Sequence, residues 1–111
     1  MKHLLSVAIL LSSLPVSGLA AGDIFDKANI AALWIVPYDA KKRGPEERAQ
    51  MLLELGVTKF AYDWRAEHVP TFNAEIEAMQ KHGIEITAWW YPSRKPEILD
   101  AIKSHGIHPQ L

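Results

Sequence analysis

One stretch of this chain is dense in groups that do chemistry: Ala61-Tyr62-Asp63-Trp64-Arg65-Ala66-Glu67-His68 joins two carboxylates, a guanidinium and an imidazole. Such groups hold sugar hydroxyls, pair with an anion or ligate a divalent metal. The same residues also fit a plainer arrangement, an Asp–Arg or Glu–Arg ion pair that fixes a loop, with His68 on the surface before Val69-Pro70. The adjacent pair Glu67-His68 is too small a donor set to make a metal site by itself. Two further segments carry polar and aromatic groups, Tyr38-Asp39 upstream and Trp90-Tyr91 with Arg94 downstream. Aromatic faces stack on the apolar face of a sugar, and Trp89 and Trp90, as strand neighbours, point to opposite faces so that one packs in the core. The candidate ligand-binding residues are therefore Asp39, Asp63, Arg65, Glu67, His68 and Trp90. Lys41-Lys42-Arg43 reads as a solvated loop with an anion-binding role left open.

These residues need elements to position them, and a repeat supplies the pattern. Leu55-Gly56-Val57, His82-Gly83-Ile84 and His105-Gly106-Ile107 share one grammar, glycine followed by a β-branched residue. Glycine turns the chain just past a helix end through positive φ, and the branched residue opens a strand. The intervals between these glycines each hold one strand, one loop and one helix, so the chain is built from βα units. Helices are predicted from Pro45 to Leu55, from Thr71, whose hydroxyl can cap it, and from Pro96. Their expected inward stripes are Arg48, Leu52 and Leu55, then Phe72, Ile76 and Met79, then Leu99 and Ile102, with Glu75, Glu77 and Lys81 on the outer face of the second. His82 and His105 read as dipole partners at helix ends. Strands are predicted at 32–36, 58–62 and 85–90, with the start of a fourth at 108–111. Strands alternating with helices imply an α/β fold with a parallel sheet, and the pattern alone leaves barrel or open sheet undecided.

Every candidate residue then falls just after a strand, at the end where βα folds gather function. The chain's 111 residues and net charge of -1 describe a small domain without the basic surface that nucleic acid requires, and the lack of cysteine excludes disulfides and thiolate ligands. Lys2, the apolar run Leu4 to Leu14 and the small residues around Ala20 read as an export signal, residues 1–20, leaving a mature part at 21–111. The run is shorter than the roughly 20 residues of a membrane span, so a periplasmic or extracellular protein free of the membrane is expected after cleavage. A whole barrel takes about 250 residues, so the expected forms are a fragment, half of a dimeric barrel, or a small open sheet, with self-association possible through open sheet edges.

The stretches Ile35 to Ala49, Ala61 to His68 and Pro70 to Ile76 resemble the amino-terminal part of exported sugar phosphate isomerase/epimerase-like proteins of the xylose-isomerase-like TIM-barrel superfamily. The resemblance, from about Ile30 onward, implies a partial (β/α)8 barrel of about three βα units plus the start of a fourth strand. It also implies a sugar or sugar derivative as ligand and, for the full-length family member, a divalent metal that polarises substrate oxygens while carboxylates move a proton. In that superfamily most metal ligands come from later strands, so a chain of this extent is expected to lack them and not to be active alone. The alternative is a non-catalytic carbohydrate-binding or interaction half-barrel that dimerises.

Overall fold

A computed structural model describes residues 24–33 and 35–111. The export signal read in residues 1–20 and Trp34, which falls in the strand predicted at 32–36, lie outside the described residues. The order of elements is β1 (Ala31–Leu33), α1 (Pro45–Glu54), β2 (Lys59–Tyr62), α2 (Phe72–Lys81), β3 (Glu85–Trp89) and α3 (Pro96–Ser104), with short 3-10 turns at Lys27–Asn29 and Ala66–Thr71. The strands form one parallel sheet in the order β1-β2-β3. Beyond β3, Gln110 makes a parallel bridge to Ala88, its N–H donating to the Thr87 carbonyl at 2.9 Å and its carbonyl accepting from Trp89 N–H at 2.8 Å. The strand start expected at 108–111 thus pairs where a fourth strand would.

The first strand is shorter than predicted. Its described residues are Ala31–Leu33, and the chain turns from Ile35 to Tyr38. Pro37 has no N–H to give to a ladder, so the strand pattern there outruns the strand. The glycine signals hold: Gly83 and Gly106 sit at φ 67° and 62°, as Gly56 does at 70°. The two histidines before them do more than sit near a dipole. His82 Nε2 meets Glu46 Oε1 at 2.8 Å and His105 Nε2 meets Asn73 Oδ1 at 3.1 Å. In each case the C-cap residue of one helix is tied to the second residue of the helix before it, so the sequence repeat is also a repeat of tertiary contacts.

The core lies between the sheet and the helices. Phe60, Tyr62, Ile86 and Trp89 from the strands pack with Ala49, Leu52, Phe72, Ile76, Met79, Ile98 and Ala101 from the helices. Tyr62 and Trp89 meet edge to face at 4.5 Å between ring centroids, and Phe72 meets Trp89 at 5.1 Å. Such pairs add about 0.5–1.5 kcal/mol each beyond the area they bury. The other sheet face carries no helix among the described residues, and Leu33, Ala61, Ala88 and Leu111 line a shallow groove there.

Three expectations about helix faces need correction. Leu55 follows the end of α1 and is exposed, and Ala49 takes the inward position instead. In α3 the fully inward residues are Ile98 and Ala101, with Leu99 and Ile102 half-buried beside them. Glu75, assigned to the outer face of α2, is completely buried. Its carboxylate accepts from Arg48 Nε at 3.0 Å and from Arg48 Nη2, and Arg48 is buried with it. A buried carboxylate is tolerated when paired and hydrogen-bonded in this way. Thr71 does occupy the N-cap of α2, but its hydroxyl donates back to the His68 carbonyl at 2.8 Å rather than capping the helix.

A bulge sets the phase of β3. Phe60 pairs with Ile86 and Ala61 with Ala88, so Thr87 is the extra residue, its hydroxyl donating to the Phe60 carbonyl at 3.3 Å. In an uninterrupted strand Ile86 and Trp89 would face opposite sides. The extra residue brings both under the helices and sends Trp90 outward, where it is 56% exposed.

Candidate functional site

The carboxyl ends of the three strands converge on one cleft of about 420 Å³, lined by Tyr38, Asp63, Trp64, Arg65, Ala66, Trp90 and Pro92. That volume lies within the range of about 300–1,000 Å³ usual for small-molecule sites. Each strand contributes through the residues just beyond it. The loop after β1 brings Tyr38, the turn after β2 brings Asp63, Trp64 and Arg65, and the end of β3 brings Trp90.

Backbone and side-chain bonds fix these groups. Trp90 N–H donates to the Tyr62 carbonyl at 2.8 Å, which extends the sheet register one residue past β3. Trp64 is buried, packs edge to face on Phe72 at 5.4 Å, and donates from Nε1 to the Trp90 carbonyl at 2.6 Å. It therefore links the aromatic core to the cleft wall. Lys95 Nζ stands 5.5 Å from the centroid of the Trp64 ring. Arg65 Nη1 donates to Asp63 Oδ1 and to the Trp64 carbonyl, each at 2.7 Å, and its guanidinium carbon lies 5.9 Å from the centroid of the Tyr38 ring. The hydrogen bond to Asp63 strengthens the hold of Arg65 on its proton, outweighing the opposing cost of desolvation.

The six residues singled out from sequence divide. Asp63, Arg65 and Trp90 line the cleft together. His68 does not line it. The ring sits below, with Nδ1 accepting from the Arg65 backbone N–H at 2.8 Å, so the imidazole closes the 3-10 turn and orients the backbone that carries Arg65. Glu67 is exposed on that turn, away from the cleft. Asp39 is folded back on its own loop. The carboxylate accepts from Lys41 N–H at 3.0 Å, Arg43 N–H at 2.9 Å and Arg43 Nη1 at 2.7 Å. Desolvation would raise its pKa, but these bonds outweigh that and hold it below the usual value. Arg43 is thereby an ion-pair partner, not a free cation of the solvated run. In place of Asp39, Glu67 and His68 the cleft uses Tyr38 and Trp64, whose positions just past the strand ends are the signal that marks them.

The side chains of the cleft, among the described residues, do not fit a metal. Among the described residues no three histidine, aspartate or glutamate side chains converge. Asp63 is engaged by Arg65, and the His68 nitrogen nearest the turn is taken by a backbone N–H. The chemistry on offer is different: aromatic faces for stacking, a carboxylate with further acceptor capacity, and a donor fork.

Comparison of the chain with protein-family models, with curated proteins and with solved structures found no match.

Proposed function

We propose that this chain is the amino-terminal part of a (β/α)8 barrel of the xylose-isomerase-like kind, exported, and that its cleft binds a sugar or sugar derivative. The observation that carries this reading is the convergence of Tyr38, Asp63, Trp64, Arg65 and Trp90, from the ends of three successive parallel strands, on one cleft. The sheet supports the barrel half of the reading. Its strands follow in sequential order with no reversal, and the helices cover one face only among the described residues, as in a barrel and unlike a doubly wound sheet. In this reading the chain binds and orients the sugar through stacking and hydroxyl contacts. Isomerase or epimerase chemistry, with its metal and proton-moving carboxylates, would need donors that these residues do not provide, so the chain by itself is not expected to turn substrate over.

Titration of tryptophan fluorescence with D-xylose, D-glucose and D-fructose tests binding. A saturable change is expected in the wild type and not in Trp90→Ala. A flat response to all three sugars would count against the cleft as a monosaccharide site. Proton exchange at the sugar carbons in D2O, with magnesium or manganese added, should not exceed the rate in buffer.

A second reading, a non-catalytic carbohydrate-binding half-barrel that dimerises, draws on one observation. Among the described residues no helix covers the sheet face that exposes Leu33 and Leu111, each 55% accessible, and no strand pairs with the outer edge of β1. Light scattering coupled to size-exclusion chromatography would give a discrete dimer under this reading; a monodisperse monomer would dispose of it.

A further inference from the structure

The buried ion pair between α1 and α2 lies outside the cleft, yet its bonds lead into it. Arg48 gives two donors to Glu75, and its remaining Nη1 donates to the Arg43 carbonyl, at the end of the β1–α1 loop. From Arg43 the chain of bonds continues to Asp39, which takes the Arg43 side chain and the backbone N–H groups of Lys41 and Arg43. Asp39 adjoins Tyr38, and Tyr38 lies under the Arg65 guanidinium in the cleft wall. The loop contains one residue in an unfavourable backbone conformation. Lys42 adopts φ 49°, the left-handed region that side chains other than glycine avoid, and the Lys42 N–H to Asp39 carbonyl bond of 2.9 Å closes the turn around it. Two hydrophobic residues of matching volume could fill the α1–α2 interface, but neither would reach the loop carbonyl.

We propose that the Arg48–Glu75 pair, acting through Arg43 and Asp39, is a positioning device that seats Tyr38 against Arg65 and so sets the shape of the cleft. The proposal concerns the cleft to which sugar binding is ascribed, but it is a statement about loop geometry and is tested without sugar. Arg48, Glu75 and Asp39 are positioning residues; none of them lines the cleft.

The Tyr38 ring should shift the side-chain NMR resonances of Arg65 by its ring current. Tyr38→Leu calibrates this by abolishing the shift. The double variant Arg48→Met/Glu75→Leu, which removes the pair while keeping the interface filled, should lose more than half of it. So should Asp39→Asn, a substitution outside the core that tests the same relay should the double variant fail to fold. Glu46→Gln breaks a different α1–α2 link, to His82 and Lys81, and should leave the Arg65 resonances in place. The Trp89 indole resonance, in the core, should hold still in Asp39→Asn and Glu46→Gln. A folded double variant or Asp39→Asn that keeps the full Arg65 shift overturns the proposal, and so does a wild type in which Tyr38→Leu changes nothing at Arg65. Failure of sugar binding with the Arg65 shift behaving as expected would defeat only the sugar assignment.

Discussion

The Nε and Nη2 donors of Arg48 both reach the carboxylate of Glu75 inside the α1–α2 interface, where neither side chain is more than 4% exposed. Burial pulls the Arg48 pKa down, but hydrogen bonding to the Glu75 carboxylate and its charge more than offset this and raise it. Removing one partner strands the other charge in the core. Glu75→Ala is therefore expected to cost about 3–5 kcal/mol in chemical denaturation, whereas Arg48→Met/Glu75→Leu together should be neutral or stabilising by about 1–4 kcal/mol.

Trp89 and Trp90 separate stability from binding. Trp89 is buried against Tyr62 and Phe72, and truncation to alanine should cost about 3–5 kcal/mol. Trp90 is exposed on the cleft, so Trp90→Ala should change stability by less than about 0.5 kcal/mol. Denaturation curves paired with the sugar titration would show each variant losing what the other keeps.

Glu46 makes stability depend on acid. The His82 ring, first, and then the Lys81 ammonium hold its pKa at about 2, against an ordinary value of 4.5. A carboxylate whose folded pKa is depressed contributes stability that is fully present above the unfolded value and is lost as pH falls through the folded one. Thermal melts taken from pH 5 downward should thus lose stability between about 4.5 and 2 in the wild type, and Glu46→Gln should flatten that part of the profile.

At Gly83 the backbone alone decides the outcome. A methyl group added there would meet no neighbouring atom within 4 Å, while φ is 67°. Gly83→Ala should cost about 1–2 kcal/mol, the usual conformational penalty of the left-handed region. Gly83→Asn should cost less, because asparagine tolerates that region through local hydrogen bonding. Equal losses in both variants would point to a steric cause instead.

The architecture was legible in sequence because it follows from local rules. Glycine after a helix, proline at a helix start and apolar strands between them name βα units without any knowledge of contacts. The site was legible only to the level of the strand ends. Asp63, Arg65 and Trp90 reach the cleft, but Asp39, Glu67 and His68 look the same on paper and are spent on turns or left in solvent. Whether a carboxylate faces a cleft or its own loop depends on backbone donors such as Lys41 and Arg43 N–H, which no spacing of side chains reveals. Glu75 escaped notice for a related reason. Arg48 falls on the expected inward stripe of the first helix, but nothing in the spacing within the second helix ties Glu75 to it, so Glu75 reads as solvent-facing.

The extra residue at Thr87 has a further consequence. Strand register is a two-state property, in which moving by one position exchanges inside and outside. The insertion makes that exchange once, midway along β3, so the carboxyl end of the strand runs in opposite phase to its amino end. Because Ile86 and Trp89 stand three positions apart, an unbulged pairing of this sequence would turn one of them out; deleting Thr87 would put them two apart and leave both under the helices without a bulge. The bulge is thus how this sequence reconciles core and cleft, and a strand one residue shorter would present the same faces at the loss of the Thr87 hydroxyl bond to the Phe60 carbonyl.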